Sequence, residues 1–209
     1  MKKLSVVFAF VALMFTTSCN SQSKEHSDNS KHGEKIKSDG HKHQHGGEHG
    51  HDGGDTEKRD IASTSKKSTL LTGLIDSYLS LKNGLTEDNN TTIVSSAKTM
   101  LKAFSSFEMK KLTSAQHKEY MEIAENSKEQ LEHIIKSPID HQREHFEVLS
   151  NDLNDLISLI GTDRPLYQDF CPMYNKGKGA IWISESKEIK NPYYGTKMVS
   201  CGKIQKEIK

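Results

Sequence analysis

The sequence predicts a mainly α chain: an antiparallel four-helix bundle followed by a small irregular α+β/β C-terminal lobe. Three observations carry that expectation. Apolar residues recur at three- and four-residue steps between Leu71 and Ile160, the period of helices with one buried face. Capping signals stand at Thr113 and between Ser137 and Gly161. After Gly161 the helical period gives way to short apolar stretches separated by Gly, Asn and Pro.

Taken from the N-terminus, Lys2 and Lys3 precede an apolar run from Leu4 to Phe15, then a small polar stretch that ends at Cys19. The run is too short to span a bilayer permanently and has the layout of a secretory signal peptide, residues 1–18. Cys19 follows Thr16-Thr17-Ser18 as the cysteine of a bacterial lipobox does, although the usual Leu three residues earlier is missing. The expectation is an exported chain, carried across the inner membrane and anchored through lipid on Cys19, facing the periplasm or cell surface. A plain secreted protein is the alternative.

Residues 19–67 are nearly devoid of apolar side chains and dense in Ser, Gly, Lys and Asp, so they cannot bury enough surface to offset ordering entropy. A disordered tether is expected. It holds His26 and His32 and the tract His41, His43, His45, His49 and His51, interrupted by Gly46-Gly47. Such tracts bind metal by composition, and imidazole suits Zn(II), Ni(II) and Cu(II). A passive solubilising linker is the other reading.

The chain has 29 Lys and Arg against 28 Asp and Glu, and the formal charge of +1 falls by two when Lys2 and Lys3 leave with the leader. No basic excess remains for a polyphosphate partner, which argues against nucleic acid.

The bundle is expected over 68–161. Leu71, Leu74, Ile75, Tyr78, Leu81 and Leu85 mark a first helix; Ile93, Ala97, Met100, Leu101 and Phe104 mark a second beyond a polar turn at Glu87 to Asn90. Thr113-Ser114-Ala115-Gln116 fits a capping box for a third, ending near Lys136. A fourth has Ser137 as N-cap, Pro138 at the first helical position, Asp140 in the first turn and Gly161 as stop. Its stripe of Phe146, Leu149, Leu153, Leu156, Ile157 and Ile160 needs partners.

On that fourth helix His141 and His145 stand one turn apart, on an edge shared with Asp152, and form a candidate metal pair. The glutamate between them, Glu144, is not where a His-Glu-x-x-His peptidase carries it, and no pair of Glu-x-x-His motifs suggests a di-iron bundle. Ordinary salt-bridged histidines are the plainer reading, for His117 and His133 as well. No nucleophile, base and acid set or cofactor fingerprint is legible, so a non-enzyme is expected.

The lobe, 162–209, is expected to pack on the bundle. Ala180-Ile181-Trp182-Ile183 reads as a buried strand, Asn191-Pro192-Tyr193-Tyr194-Gly195 as a turn, and Met198-Val199 as a second strand. The lobe also carries two thiols and two thioethers: Cys171 and Met173, then Met198 and Cys201. Such a set suits a soft cation such as Cu(I) or Ag(I). In an oxidising compartment the same cysteines can close a disulfide or act as a redox switch.

Taken together, Tyr78 to Asn83, His141 to Phe146, Cys171-Pro172-Met173-Tyr174-Asn175, Gly179 to Ser184, and Asn191 to Gly195 with Met198 and Cys201-Gly202 resemble the family called domain of unknown function 3347, over about Ser68 to Lys206. Members stand alone in the envelope or fused behind adaptor subunits of copper and silver efflux pumps. The resemblance implies heavy-metal handling and brings no catalytic residues. Cys171-Pro172-Met173 also resembles the start of a small heavy-metal-binding module, with Tyr174 where that module has His and one cysteine after Met198 where it has two.

The function expected is an exported, lipid-anchored envelope protein that binds copper or related ions for buffering or hand-off to efflux-pump components. No cofactor is obligatory, and Cu(I), Cu(II), Ag(I) and Zn(II) are the candidate ions. The alternative is a non-enzymatic interaction module stapled by a Cys171–Cys201 disulfide.

Overall fold

The computed structural model describes Arg59, Ile61 and residues 67–209. The signal peptide, Cys19 and the five-histidine tract lie outside the described residues. The described part is mainly helical: four helices, then a three-stranded antiparallel sheet at the C-terminal end. Among the described residues no helix is long and apolar enough to cross a membrane.

Helices α1 (Thr72–Thr86) and α2 (Asn90–Ser105) form a hairpin. The turn uses Asp88 at φ 55°, and Asn89 caps α2 by accepting from Thr92 N–H at 3.1 Å. Helix α3 (Ser114–Lys136) opens with the expected box: Gln116 N–H donates to Thr113 Oγ1 at 3.3 Å, and Thr113 N–H donates to Gln116 Oε1 at 3.1 Å.

Helix α4 spans Ile139–Ile160 and starts one residue later than expected. Its N-cap is Pro138, while Ser137 is the C-cap of α3. The residue before a proline is driven to extended backbone, and Ser137 has ψ 157°, so the break falls on it and the chain turns on Pro138. Gly161 ends α4 at φ 98°, a conformation that costs any other residue a steric clash.

The stripes meet in one core that includes Tyr78, Leu81, Ile93, Met100, Ile123, Leu131, Phe146, Leu153 and Trp182. Tyr78 and Phe146 stack at 5.1 Å. Tyr78 Oη also joins helices to sheet, pairing with Ser150 Oγ at 2.7 Å and accepting from Ile183 N–H at 3.1 Å. Its burial pushes the phenol well above its ordinary range, so it stays a neutral donor and acceptor.

The sheet has the order β2-β1-β3, with β1 (Leu166–Cys171) central between β2 (Ala180–Ser184) and β3 (Lys203–Ile208). The expected strand at Ala180 to Ile183 is β2. The expected strand at Met198-Val199 is a turn instead, following a single 3-10 turn at Gly195–Lys197, and the pairing falls to the segment after Gly202. Residues 191–202 are held by their own hydrogen bonds: Asn191 N–H to Val199 O at 2.7 Å and Met198 N–H to Gly195 O at 3.3 Å. That leaves no strand partner for Met198.

Arg143 ties bundle to lobe. Its Nε donates to Pro192 O at 2.9 Å, and Nη2 to Leu85 O at 3.2 Å and to the Asp88 carboxylate. Gly195, at φ 54°, sits so close to this ion pair that a Cβ there would lie 2.3 Å from Asp88 Oδ1. Only glycine fits that place.

Candidate sulfur site

Strand register brings the two cysteines together. Phe170 pairs with Lys203 on β3, so the antiparallel ladder carries Cys171 opposite the residues just before Lys203. Gly202, at φ 146°, bends the chain there, and a Cβ on it would lie 2.7 Å from the Trp182 ring. The turn thus presses on Trp182 and presents Cys201 towards the end of β1.

Cys171 Sγ and Cys201 Sγ are 3.7 Å apart, and Cys201 Sγ is 3.7 Å from Met173 Sδ. Both cysteines are free; Cys171 is buried, Cys201 half-buried, and Met173 is 53% exposed. The sulfurs therefore run from the core edge to solvent, with Met173 at the mouth. Met198 is not joined to them by any of these contacts. Its carbonyl accepts from Cys201 N–H at 3.1 Å, and its side chain is exposed.

Burial, reinforced by the hydrogen bond to Cys171, raises the Cys201 thiol above its ordinary range. Without a cation Cys201 is thus held toward thiol, and metal capture there must displace a proton.

Sequence reading missed the residue that positions Cys201. Asn191 is fully buried, and its Nδ2 donates to Cys201 O at 2.6 Å. Its Oδ1 accepts from Tyr193 N–H at 2.8 Å and Tyr194 N–H at 3.3 Å. Tyr194 Oη in turn donates to Met173 O at 3.1 Å. One side chain and one phenol thereby fix both arms of the sulfur site. The only sequence signal was an Asn immediately before a Pro.

The histidines lie elsewhere. His145 of α4 meets α3, where His133 stacks on it at 4.5 Å, and its Nε2 lies 3.2 Å from that of His141. Asp152 belongs to a different contact: it accepts from Asn126 at 2.8 Å, Ser127 at 3.0 Å and Arg59 at 2.7 Å. Among the described residues no three His, Cys, Asp or Glu side chains converge on one point as a ready metal cluster.

No curated protein and no solved structure matches the chain. A family model matches a shorter stretch than the resemblance suggested, from within α1 to just past α4, and ends before Cys171. Its description is protein of unknown function (DUF3347), and residues 74–164 of the chain match it, in agreement with the family that the sequence resembles.

Proposed function

We propose that this is an exported, lipid-anchored envelope protein that binds copper or a related soft ion as cargo, for buffering or for hand-off to an efflux system. The observation that carries the reading is the run of three sulfurs, Cys171, Cys201 and Met173, at successive spacings of 3.7 Å. Two sulfurs each about 2.3 Å from one ion at a tetrahedral angle lie about 3.8 Å apart, so the existing spacing accepts a d10 ion with little movement. Two thiols and a thioether select Cu(I) or Ag(I) over harder ions. The N-terminal pattern ending at Cys19 supports export and anchoring, and the His41 to His51 tract supports collection of Cu(II) or Zn(II) upstream of the folded part.

The same approach of Cys171 and Cys201 favours a second reading, a disulfide-stapled interaction module. Competition of the reduced chain against a Cu(I) chelator separates them. Binding tighter by at least about tenfold than in Cys171→Ser with Cys201→Ser supports the sulfur site; equal binding leaves the staple. Deleting residues 26–52 is expected to remove most Cu(II) and Zn(II) stoichiometry and to leave Cu(I) affinity in place.

A further inference from the structure

We propose that Met173 is an oxidation switch: a two-electron oxidant such as hypochlorous acid converts its thioether to a sulfoxide, and the sulfoxide releases the soft ion. The switch presupposes the soft-ion seat proposed above for Cys171, Cys201 and Met173. Its position singles out Met173. At 53% exposed it is the sulfur a solute reaches most directly, while Cys201 is half-buried and Cys171 buried. A thioether has no proton to lose, so its attack on an oxidant does not wait on ionisation as that of a thiol does. The modified side chain also stays at the mouth, because Tyr194 Oη donates to Met173 O at 3.1 Å and pins the backbone there.

In the step itself a bond forms between Sδ and the oxygen of hypochlorous acid, and the O–Cl bond breaks. Chlorine leaves as chloride, the oxygen gives up its proton to water, and sulfur loses the two electrons that chlorine gains. The product is a polar sulfoxide, which a methionine sulfoxide reductase can return to the thioether. A hard oxygen then stands where Cu(I) or Ag(I) had a soft sulfur. The oxygen acts on Cys201 as well. The Cys201 thiol donates to Met173 Sδ at 3.7 Å, a weak acceptor. A sulfoxide oxygen at that place accepts more strongly and holds the proton that ion capture has to displace. One modification thus removes a ligand and secures the thiol beside it. Met121, 49% exposed on α3, gives a methionine of similar exposure outside the lobe.

Treating the full-length chain with hypochlorous acid and then with dithiothreitol tests this, since dithiothreitol returns disulfides and sulfenic acids to thiols and leaves the sulfoxide in place. Peptide mass spectrometry reads the sulfoxide at Met121, Met173 and Met198, and competition with a Cu(I) chelator reads affinity. Affinity should fall in step with sulfoxide at Met173, by at least about tenfold, because even the outer partners of a metal site are worth that much. It should settle at or below that of untreated Met173→Leu and recover with the two epimer-specific sulfoxide reductases. Met121→Leu should respond as the parent does, and Met173→Leu should lose nothing further on treatment. Full affinity in a chain oxidised at Met173 would overturn the switch and leave the seat standing, and an equal loss in Met173→Leu would overturn it too. An untreated chain that binds Cu(I) no tighter than Cys171→Ser with Cys201→Ser would overturn the seat, and the switch with it.

Discussion

Cys171 Sγ and Cys201 Sγ lie 3.7 Å apart where the end of β1 meets the turn before β3. A disulfide needs about 2.05 Å, so a small rotation of either side chain closes the bond, and a cation entering the same gap prevents it. Oxidation and soft-metal binding should therefore be mutually exclusive. The oxidised chain should be more stable to urea by roughly 3 to 4 kcal/mol, from closing a loop of about 31 residues. It should also lose its Cu(I) affinity, both changes reversing on reduction. Oxidised protein that still binds Cu(I) at full strength would contradict this.

Arg143→Ala should destabilise the fold by about 3 kcal/mol, because the Leu85 and Pro192 carbonyls lose a buried donor and Asp88 its cation. Lysine should rescue only in part, since one ammonium cannot reach three acceptors spread around a planar fork. Hydrogen bonds from Thr196, then from Arg143, hold the Asp88 carboxyl below its usual range. That contribution is present above about pH 4 and fades as pH falls further. Urea unfolding of both variants from pH 3 to 7 checks it.

Asp169 gives the opposite pH dependence. Its carboxyl is fully buried on β1, with neither oxygen hydrogen-bonded, and burial pushes it up to about 7 against the pull of the Lys82 charge. The folded state then holds this proton more tightly than the unfolded chain. The stabilising contribution is full below about pH 4 and is lost as pH rises towards 7, by up to about 4 kcal/mol. Asp169→Asn should match the parent near pH 4 and exceed it by about 2 to 4 kcal/mol at pH 8. Parallel pH profiles would contradict the assignment.

Asn191→Ala should cost about 2 to 4 kcal/mol, because it frees a buried carbonyl and two backbone amides at once. It should also loosen Cu(I) binding without removing a sulfur. A variant destabilised to that degree but with unchanged Cu(I) affinity would show that Asn191 supports the fold and not the site.

The helices were legible in the sequence because each carries a stripe of Leu, Ile and Phe at helical spacing, and Thr113 and Gly161 mark their ends with side-chain and backbone chemistry. Pro138 shifted the start of α4 by one residue because its effect on Ser137 outweighed the capping preference of serine. Strands β1 and β3 were hidden for different reasons. In β1 the buried positions are Leu166, Asp169 and Cys171, which do not alternate and include a carboxylate, and β3 is an exposed edge strand with almost no buried face to leave a pattern. At the candidate site, the meeting of Cys171, Cys201 and Met173 was legible from composition, but the separation of Met198 depended on a turn that looks apolar. The contact of His145 with His133 depends on the stagger of α3 against α4, which no single-helix pattern carries. Arg59, bonded to Asp152, sits in a stretch whose polarity says nothing of a tertiary partner.

X-ray absorption at the copper edge of the reduced full-length chain, loaded with one equivalent of Cu(I), tests the soft-metal role most directly. A three-sulfur seat predicts a shell of two to three sulfurs at about 2.3 Å that disappears in Cys171→Ser with Cys201→Ser. A shell of nitrogen and oxygen alone, unchanged in the double variant, would contradict it.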